Sequence, residues 1–143
     1  MTNRNKIFIK GLLVGLAMLA TSWFMGQILF TIHPQLEGEY RNMLLFRQPS
    51  DPLMSLMYVE PFILGLILAW IWSLAKEAIK GETIVMKGVN FGFAYWLLTI
   101  PGMMMSYGCF PLSISMVISW SVTILAQGIV AGIILSRFSV PVK

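Results

Sequence analysis

The chain has 143 residues, of which 57% are hydrophobic and only 11% charged, with a mean hydropathy of +0.79. Soluble domains carry about 25% charged residues, so the polar surface here is too small to wrap a globular body, and lipid is the expected solvent. The net charge of +4 does not mark a nucleic-acid binder, because the basic residues sit in short patches beside apolar runs and form no helical stripe.

The first patch, Arg4, Lys6 and Lys10, precedes an uncharged run over 11–32. A signal-peptide core is about 7–15 residues and ends at a small-x-small site. This run is longer and its Ala17-Met18-Leu19-Ala20 stretch is a poor cleavage site, so it reads as a retained membrane anchor. A crossing needs about 20 helical residues, which 11–32 supplies.

The outer loop follows, over 33–51. Pro34 can start a short helix over 34–47, with Glu37 and Glu39 in its first turn, Arg47 in its last, and Glu37 and Arg41 spaced for an i, i+4 pair. Leu36, Tyr40, Met43 and Leu44 share a face, which predicts an interfacial helix resting on the membrane surface. Asp51-Pro52 then resembles an N-cap followed by proline at the first helical position.

The second span, 52–75, reaches full length only by taking Glu60 into the membrane or its outer edge. The uncharged stretch 88–136 is too long for one crossing and breaks at Tyr107-Gly108-Cys109-Phe110-Pro111. Two more spans are thus expected over 84–106 and 111–136. The expected fold is an all-α integral membrane bundle of four transmembrane helices forming one domain.

Orientation follows from the basic residues. Arg4, Lys6, Lys10, Lys76, Lys80, Lys87, Arg137 and Lys143 fall on one side, and only Arg41 and Arg47 on the other. The positive-inside rule places both termini and the 76–87 loop in the cytoplasm, and the small size and short loops suggest a bacterial inner membrane.

Small residues recur at helix-packing spacing: Gly11/Gly15, Ser22/Gly26, Gly65/Ala69, Gly88/Gly92 and Gly128/Gly132. Membrane helices approach closely where side chains are small, so these stripes predict tight seams, either within the bundle or to another subunit. Lys10-Gly11-x-x-x-Gly15-x-Ala17 recurs as Lys87-Gly88-x-x-x-Gly92-x-Ala94. Gly65, Ala69 and Ser73 align with Gly128, Gly132 and Ser136, which suggests a parallel duplication of one hairpin.

Among groups that carry chemistry, Glu60 is the acid within a span, followed by Pro61, which frees the Met57 carbonyl. His33 and Tyr107 are its candidate partners. Gln27, Asn90 and Gln127 are the polar side chains that can bind between helices or line a solute path. Pro101-Gly102 is a candidate hinge. Methionines towards the outer side, with Cys109 and His33, are soft-ligand types, but consecutive Met103, Met104 and Met105 point in different directions, so no metal or other cofactor is expected. No phosphate-binding loop, acid dyad or redox Cys pair is present.

The expected role is that of a non-catalytic membrane component acting through helix packing, in a homo-oligomer or with another membrane subunit. The alternative is a small-solute or proton-coupled transporter using Glu60.

Overall fold

A computed structural model describes residues 3–42 and 44–139, with the side chains of Asn3 and Arg4 outside the description. Met43 and Lys143, used above for the loop helix and for the charge count, lie outside the described residues, as does the side chain of Arg4. The chain is all-helical: α1 (Asn3–Ile32), α2 (Gln35–Tyr40), a 3-10 turn (Pro52–Ser55) leading into α3 (Leu56–Ala75), α4 (Ile84–Cys109) and α5 (Ile114–Arg137). Four of these stretches, Asn5–Ile32, Pro52–Ala75, Ile84–Cys109 and Ile114–Arg137, are long and apolar enough to cross a membrane.

Local chemistry explains three of the starts. Asp51 Oδ1 accepts from Leu53 N at 2.9 Å, so the Asp51-Pro52 pair does cap the second span. Thr83 Oγ1 accepts from Met86 N at 3.1 Å at the start of α4. The preceding loop turns at Gly81, whose φ of +151° favours a residue without Cβ. Two boundaries differ from the sequence reading. Helix α4 continues past 106 to Cys109, and α5 starts at Ile114 because Ser113 Oγ, three residues before Met116, accepts its N–H at 3.1 Å. Pro61 and Pro101 both lie inside continuous helices.

The helix in the 33–51 loop is shorter than the expected 34–47. It ends at Tyr40, and Asn42 Oδ1 accepts from Leu44 N at 3.0 Å, a side-chain turn that competes with the helix. Leu36 is buried, whereas Leu44 is 94% exposed, so the two do not share one apolar face. The Glu37–Arg41 pair forms at 2.6 Å. Arg47, expected in the last helical turn, instead pairs with Asp51 at 2.8 Å.

The helices pack in the order α4, α5, α1, α3. Two seams of glycine hold the neighbours. A Cβ on Gly65 would lie 2.4 Å from Gly11 O and 2.5 Å from Gly15 N, and one on Gly132 would lie 2.2 Å from Gly88 O. Backbone contact this close is available only where both side chains are small. Helices α3 and α4, at the ends of the row, meet through side chains, with Trp72 edge-on to Phe91 at 5.1 Å. Trp72, Phe91, Val14, Met18, Leu68 and Leu135 belong to one buried core.

Contacts across the seams are arranged alike in the two hairpins, and they set the register in which the hairpins compare. Gly11 abuts Leu66 as Gly88 abuts Ile133, and Gly15 abuts Phe62 as Gly92 abuts Ile129. Gly65 therefore corresponds to Gly132, one helical turn away from the Gly128 expected by simple alignment. The correct register pairs Pro61 with Gly128 and Glu60 with Gln127.

Candidate functional site: a cleft between α1 and α3

Glycine seams join α1 to α3 only over the half that holds Gly11, Gly15 and Gly65. By Gly26 the helices have parted, and a Cβ there would meet nothing within 4 Å. Gly26 thus packs against no other helix among the described residues of this chain. Its missing side chain enlarges a cleft of about 400 Å³ lined by Ser22, Trp23, Gln27 and Phe30 from α1, and by Tyr58 and Glu60 from α3. The α1 residues recur at intervals of three and four, which puts them on one helix face.

Glu60 and Gln27 are therefore brought together on one cleft. Among the described residues the Glu60 carboxylate has no ion-pair or hydrogen-bond partner. The Gln27 side-chain amide also has none, although its backbone carbonyl accepts from Thr31 Oγ1 at 2.8 Å. Counted from Pro52, Glu60 stands about 12 Å along the second span. It is exposed on the surface of its own chain. On its other flank runs a shallow groove of about 290 Å³ formed by Leu56, Val59, Ile63, Leu64 and Ile67 of α3.

The other predicted polar groups lie elsewhere. Gln127 is buried, and its Nε2 donates to Met18 O at 3.1 Å, tying α5 to α1. Asn90 Nδ2 donates to Lys80 O at 2.8 Å and so braces the loop before α4. The structure therefore places Gln27, Asn90 and Gln127 in three different settings. His33 and Tyr107 are both exposed, and neither contacts Glu60 by a hydrogen bond or ion pair. Cys109 is exposed, and the described residues contain no group of three His, Cys, Asp or Glu side chains that could hold a metal ion. Met103 and Met104 line a different cleft with Trp96 and Tyr107. Pro101 and Gly102 sit on an exposed helix face, with open space beside Gly102.

Sequence reading missed two aromatic features. One is the set Trp23, Phe30 and Tyr58 around Glu60; spacing alone flags the first two as sharing a face but cannot bring Tyr58 to them. The other is a chain of rings that docks the 33–51 loop on the bundle. Tyr40 lies 5.6 Å from Phe30 and 5.4 Å from Phe46, and its hydroxyl accepts a hydrogen bond from Trp120 Nε1. Burial pushes the Tyr40 hydroxyl above the ordinary tyrosine range. At the opposite end, Lys10 Nζ donates to Phe138 O at 2.9 Å, and Trp72 Nε1 donates to Ser139 Oγ at 2.7 Å, so the C-terminal end of α5 is tied to α1 and α3.

No protein-family profile, curated protein or solved structure matches this chain.

Proposed function

We propose that the chain is a non-catalytic component of a bacterial inner membrane, acting through helix packing as a homo-oligomer or as a subunit of a larger membrane assembly. Both termini and the 76–87 loop face the cytoplasm, and the short α2 helix lies at the outer surface. Asymmetry of the basic residues supports this orientation. The observation that carries the assembly reading is Glu60. It is a carboxylate inside an apolar span, uncovered by its own chain and beside exposed Leu56, Val59, Ile63 and Ile67. Ionisable groups are costly against hydrocarbon and characteristically face protein or a polar cavity. A neighbouring subunit on α3 supplies that cover.

The glycine seams are largely consumed within the chain, so an added subunit uses the α3 face instead. Mass measurement in mild detergent and cross-linking in native lipid test this reading. A stable oligomer or a stoichiometric partner is expected, with cross-links through α3. A lone monomer in both settings overturns it. Topology is checked by labelling Cys109 with a membrane-impermeant maleimide, which reacts from the outside only if both termini are inside.

A second reading, a small-solute or proton-coupled transporter, is favoured by one observation: Gln27 and Glu60 share a cleft and both lack partners among the described residues. Solute flux in proteoliposomes that is lost in Glu60→Gln is the expected result, and unchanged flux removes this reading.

A further inference from the structure

We propose that the α1–α3 cleft is a binding site for an organic cation with an apolar, ring-sized body, held by Glu60 and the aromatic side chains around it. This deepens the second reading by naming a ligand class, and rests on it only for the location of the site.

Three observations converge. The cleft, at about 400 Å³, falls within the range of about 300–1,000 Å³ typical of small-molecule sites. Its rim carries Trp23, Phe30 and Tyr58, whose ring faces attract cations that have lost water. Its two principal polar groups, the Glu60 carboxylate and the Gln27 amide, have no partners among the described residues and line the cleft from opposite helices.

Charge sign decides the ligand class. Among the described residues no Lys, Arg or His lines the cleft, and the one formal charge they give it is negative. An anion would meet an uncompensated carboxylate, and a strongly hydrated inorganic cation would find a single charged ligand, Glu60, beside the neutral Gln27, Ser22 and Tyr58, with aromatic rings over much of the remaining wall. A bulky organic cation has weaker hydration to lose and gains both ion pairing and apolar contact.

The repeat reinforces the assignment. At the position matching Glu60 the second hairpin has Gln127, which is neutral, buried and hydrogen-bonded to Met18 O. An amide suffices where the residue only ties helices together. The first hairpin carries a charge at the equivalent place and leaves it open.

The test is equilibrium binding of tetraphenylphosphonium to the full chain in phosphatidylglycerol nanodiscs, which contain no ammonium headgroup, with empty discs subtracted. Saturable binding is expected, weakened at least about tenfold in Glu60→Gln and about three- to tenfold in Trp23→Ala or Tyr58→Ala. Glu60→Asp, which keeps the charge, is expected to retain most of the affinity and controls for folding. Tetraphenylborate, of the same shape and opposite charge, is expected not to compete. If phosphatidylethanolamine in the discs lowers the apparent affinity, a lipid ammonium headgroup is a source of the cation; if it does not, a soluble solute is.

Equal affinity in Glu60→Gln and the wild type, or equal competition by the borate, overturns the proposal. Binding without flux keeps the proposal and removes transport. Flux of another solute that depends on Glu60, without phosphonium binding, does the reverse.

Discussion

Replacing Gly132 by alanine is the sharpest test of how the bundle is held together. The added Cβ would sit 2.2 Å from Gly88 O, 2.9 Å from Gly88 C and 3.0 Å from Gly88 Cα, all backbone atoms with no rotamer to give way. Restoring ordinary contact requires α4 and α5 to part by about 1 Å, and a gap of that size forfeits about a quarter to a half of each dispersion contact along the seam. Overpacking of this kind costs about 1–3 kcal/mol, and obstruction by backbone puts Gly132 at the upper end. Alanine's better helix propensity returns about 1 kcal/mol, leaving a net loss of about 2 kcal/mol, or roughly thirtyfold in the unfolding equilibrium. Gly102→Ala is the matched control, since nothing lies within 4 Å of its Cβ position, and it is expected to be neutral or stabilising. Reversible unfolding in mixed micelles, followed by tryptophan fluorescence, measures both. Wild-type stability in Gly132→Ala would refute the reasoning, because it would mean that α4 and α5 do not touch at Gly88.

Other predictions follow from the polar contacts. Gln127→Leu removes the donor to Met18 O but leaves a carbonyl already inside a helix, so the same unfolding assay is expected to register a loss of about 0.5–1 kcal/mol. In Tyr40→Phe the Trp120 N–H loses its acceptor, and faster hydrogen exchange over residues 33–51 is expected, with α1 and α5 unaffected. The hydrogen bonds from Arg47 and the Leu53 N–H hold the Asp51 carboxyl below its ordinary 3.8. Its contribution to stability is therefore fully present above that ordinary value and is lost as pH falls through the depressed one. Protease sensitivity of the 33–51 loop is expected to rise over that acidic interval in the wild type. Asp51→Asn is expected to raise it already at neutral pH and to flatten this part of the response; an unchanged response would place its origin at another group.

Helix identity was legible in the sequence because it rests on local quantities. Run length against bilayer thickness marks the four spans, and Asp51-Pro52 marks the start of one of them by capping chemistry. The same is true of the Glu37–Arg41 pair, whose partners are one turn apart, Arg41 at the C-cap of α2. Glycine stripes were visible too, and most do form seams, since a stripe of small residues permits close approach whatever the partner.

Which seam meets which was decided by tertiary structure. Small residues recur every turn, so an alignment slips by one turn at no cost in pattern, and only the contacts of Gly11 with Leu66 and Gly88 with Ile133 fix the register. Gly26 matches the same pattern but lies where α1 and α3 have separated, so within the chain it opens a cleft instead of closing a seam. Gln27 and Glu60 became neighbours, while Gln127 and Asn90 went to structural hydrogen bonds, because each outcome depends on helix rotation and crossing, which involve residues far apart in the chain. Sequence by itself determined that this chain needs a membrane and how often it can cross one, since hydrophobic length is a property of each segment alone. The aromatic, carboxylate-bearing cleft arose only when two such segments crossed near one end and diverged at the other.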